Sequence, residues 1–241
     1  MAKKEEKMKV FRLAEKVKHT HDVQTLKFKP KNGKMILFNS GEYITLYFSD
    51  NRFGWQGKSY SLSSLPDENS ISITVKKMGK FSSAIHALSI GEKVKINGPA
   101  GIFYPMAIMK NLVFLAAGIG ITPCFSIIKD FAKKGKLNTI NIFLFYSNKT
   151  KSDIVFFEEL NNIATRYPNF RIIYTLTRER SRDSAIQESG RMGIPMFKKY
   201  ITLSNKNYYF MSGSISFVND QWVQLSSTGI REKNLFTEAY Y

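Results

Sequence analysis

A glycine-rich turn in the middle of the chain has the spacing of a phosphate-binding site. Apolar residues 112–117 run into Gly118 and Gly120, and Thr122 and Pro123 follow before apolar residues recur at helical spacing. The pattern predicts a buried strand, a tight turn and a helix whose free N–H groups face a ligand at the carboxyl end of the strand. A pyrophosphate suits such a helix start.

The same stretch has two simpler interpretations. Residues 111–128 carry no charge, as a membrane span would, but the two glycines and the proline interrupt their middle and we expect no membrane span. A buried strand, turn and helix without a ligand also fits, because a short Gly-x-Gly alone does not define a site. Motifs elsewhere in the chain are needed to distinguish these interpretations from a ligand-binding turn.

Composition bounds the class of protein. The 241 residues are 43% hydrophobic and 14% aromatic, which is typical of a globular protein of one large or two ordinary domains. The single cysteine, Cys124, excludes an internal disulfide, a four-cysteine zinc site and an iron–sulfur cluster held by this chain alone. The three histidines have no cysteine pair nearby, and no metal site is expected.

The chain is strongly basic. Lysine and arginine number 36 against 19 acidic residues, for a formal net charge of +17. Such a field attracts acidic proteins, nucleic acid or anionic lipid. The cations are dispersed without a dense block, so a general lysine bias and an acidic protein partner are the two main explanations, and no nucleic acid is expected. The first residues lack the apolar core of a signal peptide, which predicts a cytoplasmic location.

The pattern of hydrophobic residues differs between the two halves of the chain. From Lys9 to Met106 short alternating segments separated by turn residues predict a small antiparallel barrel. From Asn111 onward apolar strands alternate with amphipathic helices, which predicts a parallel sheet covered on both faces. We therefore expect a β plus α/β protein with its boundary between Pro105 and Lys110, giving domains 1–107 and 108–241.

Ligands of an open parallel sheet bind beyond the carboxyl ends of its strands. Four segments follow predicted strands in the second domain and are expected to line one cleft: residues 118–122, 147–148, 177–180 and 212–214.

Five motifs in a fixed order carry a resemblance to a known family. The order is Lys58-Ser59-Tyr60-Ser61, then residues 77–83, then Gly98-Pro99-Ala100-Gly101, then the turn at 118–123 and finally residues 237–241. From Val10 to the end, the chain resembles the ferredoxin–NADP reductase family of flavoenzymes, particularly its short members and the cytochrome b5 reductase type. The resemblance implies that the barrel binds FAD and that the α/β domain binds a nicotinamide dinucleotide.

The flavin-binding signature of that family is Arg-x-Tyr-Ser, matched here by residues 58–61. The resemblance implies that Tyr60 lies against the isoalloxazine ring, that Ser61 bonds near the flavin N5 and that Lys58 faces the pyrophosphate. Ser59, the remaining residue of the motif, is also implied to bind the cofactor. Lysine stands where the family has arginine, so a point charge replaces a bidentate fork.

A second flavin segment comprises Gly79, Lys80, Phe81, Ser82 and Ser83. It matches the family segment whose backbone N–H groups and hydroxyl receive the flavin phosphates at a helix start. The simpler interpretation is an ordinary capped helix with Ser82 or Ser83 as its N-cap.

The α/β domain matches the family's dinucleotide-binding motifs. The resemblance places Gly118, Gly120 and Pro123 in the nucleotide loop and Thr122 near the nicotinamide. Ser212 and Gly213 occupy the place of a Cys-Gly-Pro-Pro motif, so that a hydroxyl stands where relatives carry a thiol.

Two further matches lie near the ends of later strands. Arg178 and Arg180 match the region that binds the 2′-phosphate in NADP-specific relatives, which favours NADP with NAD as the alternative. A basic surface loop is the simpler interpretation of these arginines. Glu238 matches a glutamate that supplies a proton or charge near the flavin N5, with Tyr240 or Tyr241 as ring cover; an exposed terminus is the alternative.

The resemblance therefore implies an NAD(P)H-dependent, FAD-containing reductase in which Ser61, Ser212 and Glu238 are the catalytic residues. Electrons would leave to an acidic carrier protein such as a ferredoxin, a flavodoxin or an oxygenase component. The alternative is a degenerate member that binds flavin or nucleotide as a sensor or subunit without efficient turnover, as the replacements at Lys58 and Ser212 suggest.

Overall fold

The computed structural model describes residues 8–50 and 52–240. The chain forms two compact units that adjoin in sequence at Ile102 and Phe103. Each unit is built around one six-stranded sheet.

The first unit is an antiparallel sheet with the strand order β4-β3-β6-β1-β2-β5. Its strands are β1 (Lys9–Lys18), β2 (Val23–Pro30), β3 (Tyr43–Phe48), β4 (Lys58–Ser61), β5 (Ile71–Lys76) and β6 (Lys93–Ala100), and one helix, α1 (Lys80–Ala87), precedes β6.

Alternation of apolar and polar residues gives this curled sheet one buried face, which encloses the core. In β3, for example, Ile44, Leu46 and Phe48 are buried while the residues between them are half-buried. Leu62, directly after β4, forms a β-bridge to Ile73 of β5, the strand at the other edge of the sheet. The predicted antiparallel barrel is confirmed as this curled sheet.

Strand β1 holds the carboxyl end of α1. The ammonium of Lys16 donates hydrogen bonds to the carbonyl oxygens of His86 (2.6 Å) and Leu88 (2.9 Å). These are among the last carbonyls of a helix, which have no partner within the helix and carry its partial negative charge. Gln24 donates a further bond to His86 O at 3.2 Å, so both β1 and β2 anchor α1.

The second unit is a wholly parallel sheet with the order β10-β9-β8-β7-β11-β12. Its strands are β7 (Asn111–Ala117), β8 (Asn141–Asn148), β9 (Phe170–Leu176), β10 (Glu188–Ser189), β11 (Tyr208–Ser214) and β12 (Leu235–Tyr240). Its helices are α2 (Ile121–Lys133), α3 (Phe157–Arg166), α4 (Ile194–Tyr200) and α5 (Ile215–Ser227).

Both faces of this sheet are buried. One set of alternating side chains, including Val113, Leu115 and Met211, packs with residues of α4 and α5 in a single core cluster. The intervening residues, such as Phe114 and Phe210, are also fully buried and face the other way. The predicted α/β second half is confirmed. Within residues 8–50 and 52–240, no helix has the length and apolarity that crossing a membrane requires.

The anchoring of α1 can be tested by removing the Lys16 ammonium. Lys16→Met keeps the length of the side chain but removes the donor to the Leu88 carbonyl and the nearer of two donors to the His86 carbonyl, so we expect the free energy of unfolding to fall by about 1–3 kcal/mol in urea denaturation. Lys18→Met, at an exposed position two residues later on the same strand, is the matched control. Equal losses in the two variants would contradict the anchoring role.

Candidate functional site

The glycine turn of the second unit follows β7 directly. Gly118–Gly120 form one 3₁₀ turn and α2 begins at Ile121, as the spacing predicts. Gly118 has φ of +52°, a conformation that glycine adopts without strain. At Gly120 a Cβ would lie 2.7 Å from the backbone nitrogen of Gly213 and closer still to the Ser212 carbonyl. The turn therefore packs its backbone onto the end of β11.

The parallel register places a row of side chains across the carboxyl end of the sheet. Ser212 of β11 pairs with Ala116 of β7 and with Glu238 of β12. Ala116 in turn pairs with Tyr146 of β8. Neighbours in register face the same side of a sheet, so the sheet brings Ser212 and Glu238 together, although they are far apart in sequence.

Ser212 is fully buried, and its hydroxyl has no hydrogen-bond partner. Leaving a buried hydroxyl unpaired costs about 1–3 kcal/mol, so such a group calls for an explanation. Its position beneath the turn, at the end of β11, is the position that the resemblance assigns to a nicotinamide contact.

Glu238 is half-buried in β12, and burial raises the pKa of its carboxyl to about 7. Burial also raises the pKa of the Cys124 thiol on α2, and the nearby Glu238 raises it further. Cys124 is therefore an inert thiol. Glu238, in contrast, exchanges a proton near neutral pH.

Thr122 and Pro123 lie in the first turn of α2 and are buried. The Thr122 hydroxyl donates to the carbonyl of Ile119 at 3.1 Å, so it stabilises the turn. Tyr241 lies outside the described residues. Tyr240 ends β12 and pairs with Ser214.

A cavity of about 580 Å³ opens at the carboxyl ends of β8 and β9. Ser147 and Thr177 line it from these strands, and Asp220 and Gln221 line it from α5. Its lining cation is Arg191. Arg191 and Asp220 were not singled out by sequence spacing, because their proximity depends on how α5 packs.

Arg178 and Arg180 are exposed and do not line this cavity. Their loop is held in place by the neighbouring segment, because the Lys151 backbone N–H donates to the Glu179 carboxylate at 2.9 Å and its ammonium pairs with Asp183. The loop thus presents both guanidinium groups to solvent beside Thr177.

In the first unit, residues 58–61 of the flavin-binding signature form β4, and their side chains alternate between the two faces of the sheet. The Ser59 hydroxyl bonds to Thr45 at 3.1 Å across the strand pair, and alternation puts Lys58 and Tyr60 on the opposite face. Lys58 is exposed, Tyr60 is half-buried against the core, and Ser61 is buried. Burial raises the pKa of Tyr60, so its hydroxyl stays protonated.

The start of α1 is a cap built on Ser82. Its hydroxyl accepts from the N–H groups of Met78 (2.8 Å) and Gly79 (3.0 Å) and donates to the Gly79 carbonyl (3.1 Å), which uses its whole hydrogen-bonding capacity. Gly79 is the N-cap; the expectation that Ser82 or Ser83 takes this place is wrong.

The remaining residues of this segment have different environments. Lys80 is exposed, Ser83 is half-buried, and Phe81 is buried with its ring centroid 5.1 Å from that of Phe48. Because the Ser82 hydroxyl is already used, the groups that can bind a phosphate at this helix start are the first-turn N–H groups, Ser83 and Lys80.

His19 and His86 have structural roles. His86 bonds through Nε2 to the Val75 carbonyl at 2.8 Å, and burial lowers its pKa, so it is neutral at pH 7. His19 bonds to Thr25 at 2.7 Å. The residues that the structure describes contain no cluster of three or more His, Cys, Asp or Glu side chains suited to a metal ion.

Taken together, an antiparallel curled sheet followed by a parallel sheet with a glycine turn defines a two-domain flavin and nicotinamide dinucleotide class. Comparison with protein families agrees. Residues 10–104 match the oxidoreductase FAD-binding domain, and residues 114–221 match the oxidoreductase NAD-binding domain. The chain belongs to the oxidoreductase family that joins these two domains, the ferredoxin–NADP reductase type.

Individual relatives support this assignment. The chain is 31% identical over 65% of its length to the ferredoxin reductase component of 3-ketosteroid-9-alpha-monooxygenase from Mycolicibacterium smegmatis, covering 46% of that protein. It is 32% identical over 72% of its length to NADH-cytochrome b5 reductase 1 from Candida glabrata, covering 62% of it. The chain thus spans about half the length of the curated relatives it matches.

Solved structures share the fold. The FAD/NAD-binding domain of a nitric oxide dioxygenase from Vibrio cholerae superposes with a TM-score of 0.84 at 21% identity, covering 96% of this chain and 98% of that one. A ferredoxin NADP+ reductase from Neisseria gonorrhoeae with bound FAD and NADP gives 0.81 at 19% identity, covering 98% and 99%.

The raised pKa of Glu238 predicts a pH-dependent stability. The folded state binds this proton more tightly than the unfolded chain, so the contribution is favourable at low pH and is lost as pH rises from about 4.5 to about 7. Glu238→Gln removes the dependence. We expect the stability of the variant relative to wild type to increase by about 1–2 kcal/mol across that window, after allowance for solvent screening.

The measurement is urea denaturation of both proteins at intervals between pH 4 and pH 8. Glu232→Gln, at an exposed position just before β12, is the control and should leave the pH profile unchanged. A flat difference between wild type and Glu238→Gln would show that burial does not hold this proton.

Proposed function

We propose that this protein is a flavin-dependent oxidoreductase that takes hydride from NAD(P)H and delivers electrons to an external carrier protein. The observation that carries the proposal is the buried, unpaired Ser212 hydroxyl, which lies beneath the glycine turn and in register with Glu238. A nicotinamide dinucleotide would supply the missing partner at this place.

The second unit has the parts that dinucleotide binding requires. The turn at 118–120 presents N–H groups at the start of α2, where a pyrophosphate is favoured. Ser212 would contact the nicotinamide end of the dinucleotide. The cavity lined by Thr177 and Arg191 would hold the adenosine end, so the ligand would extend along the carboxyl edge of the sheet.

The first unit fits FAD. Lys58 and Lys80 supply positive charge for its phosphates, the N–H groups at the start of α1 supply donors, and half-buried Tyr60 offers an aromatic face. Ser61 is a buried hydroxyl in the same motif. FAD, when bound, accepts a hydride and releases electrons singly, which are chemistries that no side chain performs.

Glu238 is the proton-exchanging group in this scheme. A carboxyl with a pKa of about 7 is divided between its acid and its base form at neutral pH. It can therefore hold or give up a proton as charge builds up at the active site, while Ser212 orients the ligand beside it.

The external acceptor is proposed to be an acidic electron carrier: a ferredoxin, a flavodoxin or an oxygenase component. The net charge of +17 favours association with an acidic protein. Relatives include the toluate 1,2-dioxygenase electron transfer component of Pseudomonas putida and a glycine betaine monooxygenase reductase subunit, whose names describe delivery of electrons to an oxygenase.

The deciding experiment is an absorbance spectrum of the purified protein, before and after addition of FAD, followed by anaerobic titration with NADH and NADPH. We expect a yellow protein that is bleached by a nicotinamide and reduces cytochrome c or ferricyanide. A yellow protein that is not bleached would instead support the sensor or subunit alternative. A protein that stays colourless with excess FAD and does not bind nicotinamides would refute the proposal.

We propose NADPH over NADH on the strength of Arg178 and Arg180, which offer guanidinium groups to a 2′-phosphate. A charge-assisted bond to phosphate contributes about 1.5–3 kcal/mol, so Arg178→Ala should raise the KM for NADPH at least tenfold and that for NADH less than twofold. Arg182→Ala, also exposed in this loop, is the matched control. An equal effect of Arg178→Ala on both cofactors would reject the preference.

A further inference from the structure

Tyr146 lies in the cross-strand row at the carboxyl end of the parallel sheet but belongs to none of the motifs. It pairs with Ala116 on one side and with Tyr174 on the other. Its side chain is fully buried. A tyrosine at such a position needs a partner for its hydroxyl, and the backbone provides a donor and an acceptor.

The first partner is a backbone N–H and the second is a carbonyl. The Val155 N–H lies 3.3 Å from the Tyr146 oxygen, and the Gly118 carbonyl oxygen lies 3.2 Å from it. An N–H group can only donate, so the oxygen of Tyr146 accepts there. Its own proton is therefore directed to Gly118.

This bond completes the hydrogen bonding of the Gly118 carbonyl. The N–H of Ile121 already donates to that oxygen across the 3₁₀ turn. With Tyr146 as the second donor, both lone pairs of the carbonyl are occupied. The carbonyl is thus held towards the sheet and away from the face where a phosphate would be repelled by it.

Gly118 is a position where the backbone conformation depends strongly on hydrogen bonds. It has φ of +52°, and no atom lies within 4 Å of the place where its Cβ would be. Glycine adopts a wider range of backbone conformations than other residues, and no side chain of its own restricts it here. The hydrogen bonds from Ile121 and Tyr146 therefore restrain its carbonyl, and the bond from Tyr146 comes from a rigid, buried ring outside the turn.

We propose that Tyr146 is a positioning residue for dinucleotide binding, holding the Gly118 carbonyl so that the N–H groups of the turn face the pyrophosphate. The inference rests on the proposed function, because it assumes that the turn receives a dinucleotide. It adds a residue on the neighbouring strand β8 that acts through the Gly118 carbonyl. It also connects the turn to the segment around Val155, which leads into α3.

The test replaces only the hydroxyl. Tyr146→Phe should raise the dissociation constant for ADP-ribose about fivefold, because the turn is no longer held ready for the pyrophosphate. AMP, which has the nucleoside without the pyrophosphate, should change less than twofold. Isothermal titration calorimetry on the purified full chain gives both values, and the KM for NAD(P)H should rise by a similar factor while kcat is unchanged.

Tyr174→Phe is the matched control. Tyr174 is the register neighbour of Tyr146, is also buried, and its hydroxyl has no hydrogen-bond partner. This variant loses the same atom from the same row without touching Gly118, so it should bind ADP-ribose and AMP as wild type does.

The outcomes separate the two proposals. If wild type binds ADP-ribose and Tyr146→Phe binds it equally well, the positioning role is refuted and the proposed function stands. The same holds if the variant loses as much affinity for AMP as it loses for ADP-ribose. If wild type binds neither ADP-ribose nor NAD(P)+, the proposed function fails and the role of Tyr146 fails with it.

Discussion

The second unit depends on one close approach of two backbones. At Gly120 the helix that follows β7 rests on the peptide between Ser212 and Gly213, with no room for a side chain. This contact fixes the height of the turn above the sheet. The start of α2 is thereby held against the end of β11, the strand that carries Ser212.

The parallel register determines which side chains share that environment. A shift of one residue would point Ser212 and Glu238 to the opposite face. The observed register puts Glu238, Ser212, Ala116 and Tyr146 on one side, in a row across neighbouring strands. Glu238 stands at the end of this row on β12, where partial burial raises the pKa of its carboxyl.

Local sequence signals predicted the elements but not the contacts between them. The alternating segments and the apolar run before Gly118 predict the curled sheet and the strand, turn and helix, because these patterns depend on neighbours in sequence. The bond from Tyr146 to Gly118 and the cavity around Arg191 depend on register and helix packing, which spacing does not reveal. Ser82 shows the same limit, since the sequence pattern does not reveal that Gly79 is the N-cap and that Ser82 bonds back to it from within the first turn.

Glu238 has a further consequence because it lies on an outer strand. The sheet ends at one side in β10, which is only two residues long, and at the other in the six-residue β12. A long edge strand exposes backbone groups to which a strand of another molecule can add. A carboxyl within β12 works against such addition when it is ionised, so the protonation of Glu238 bears on how well this edge resists pairing with another strand.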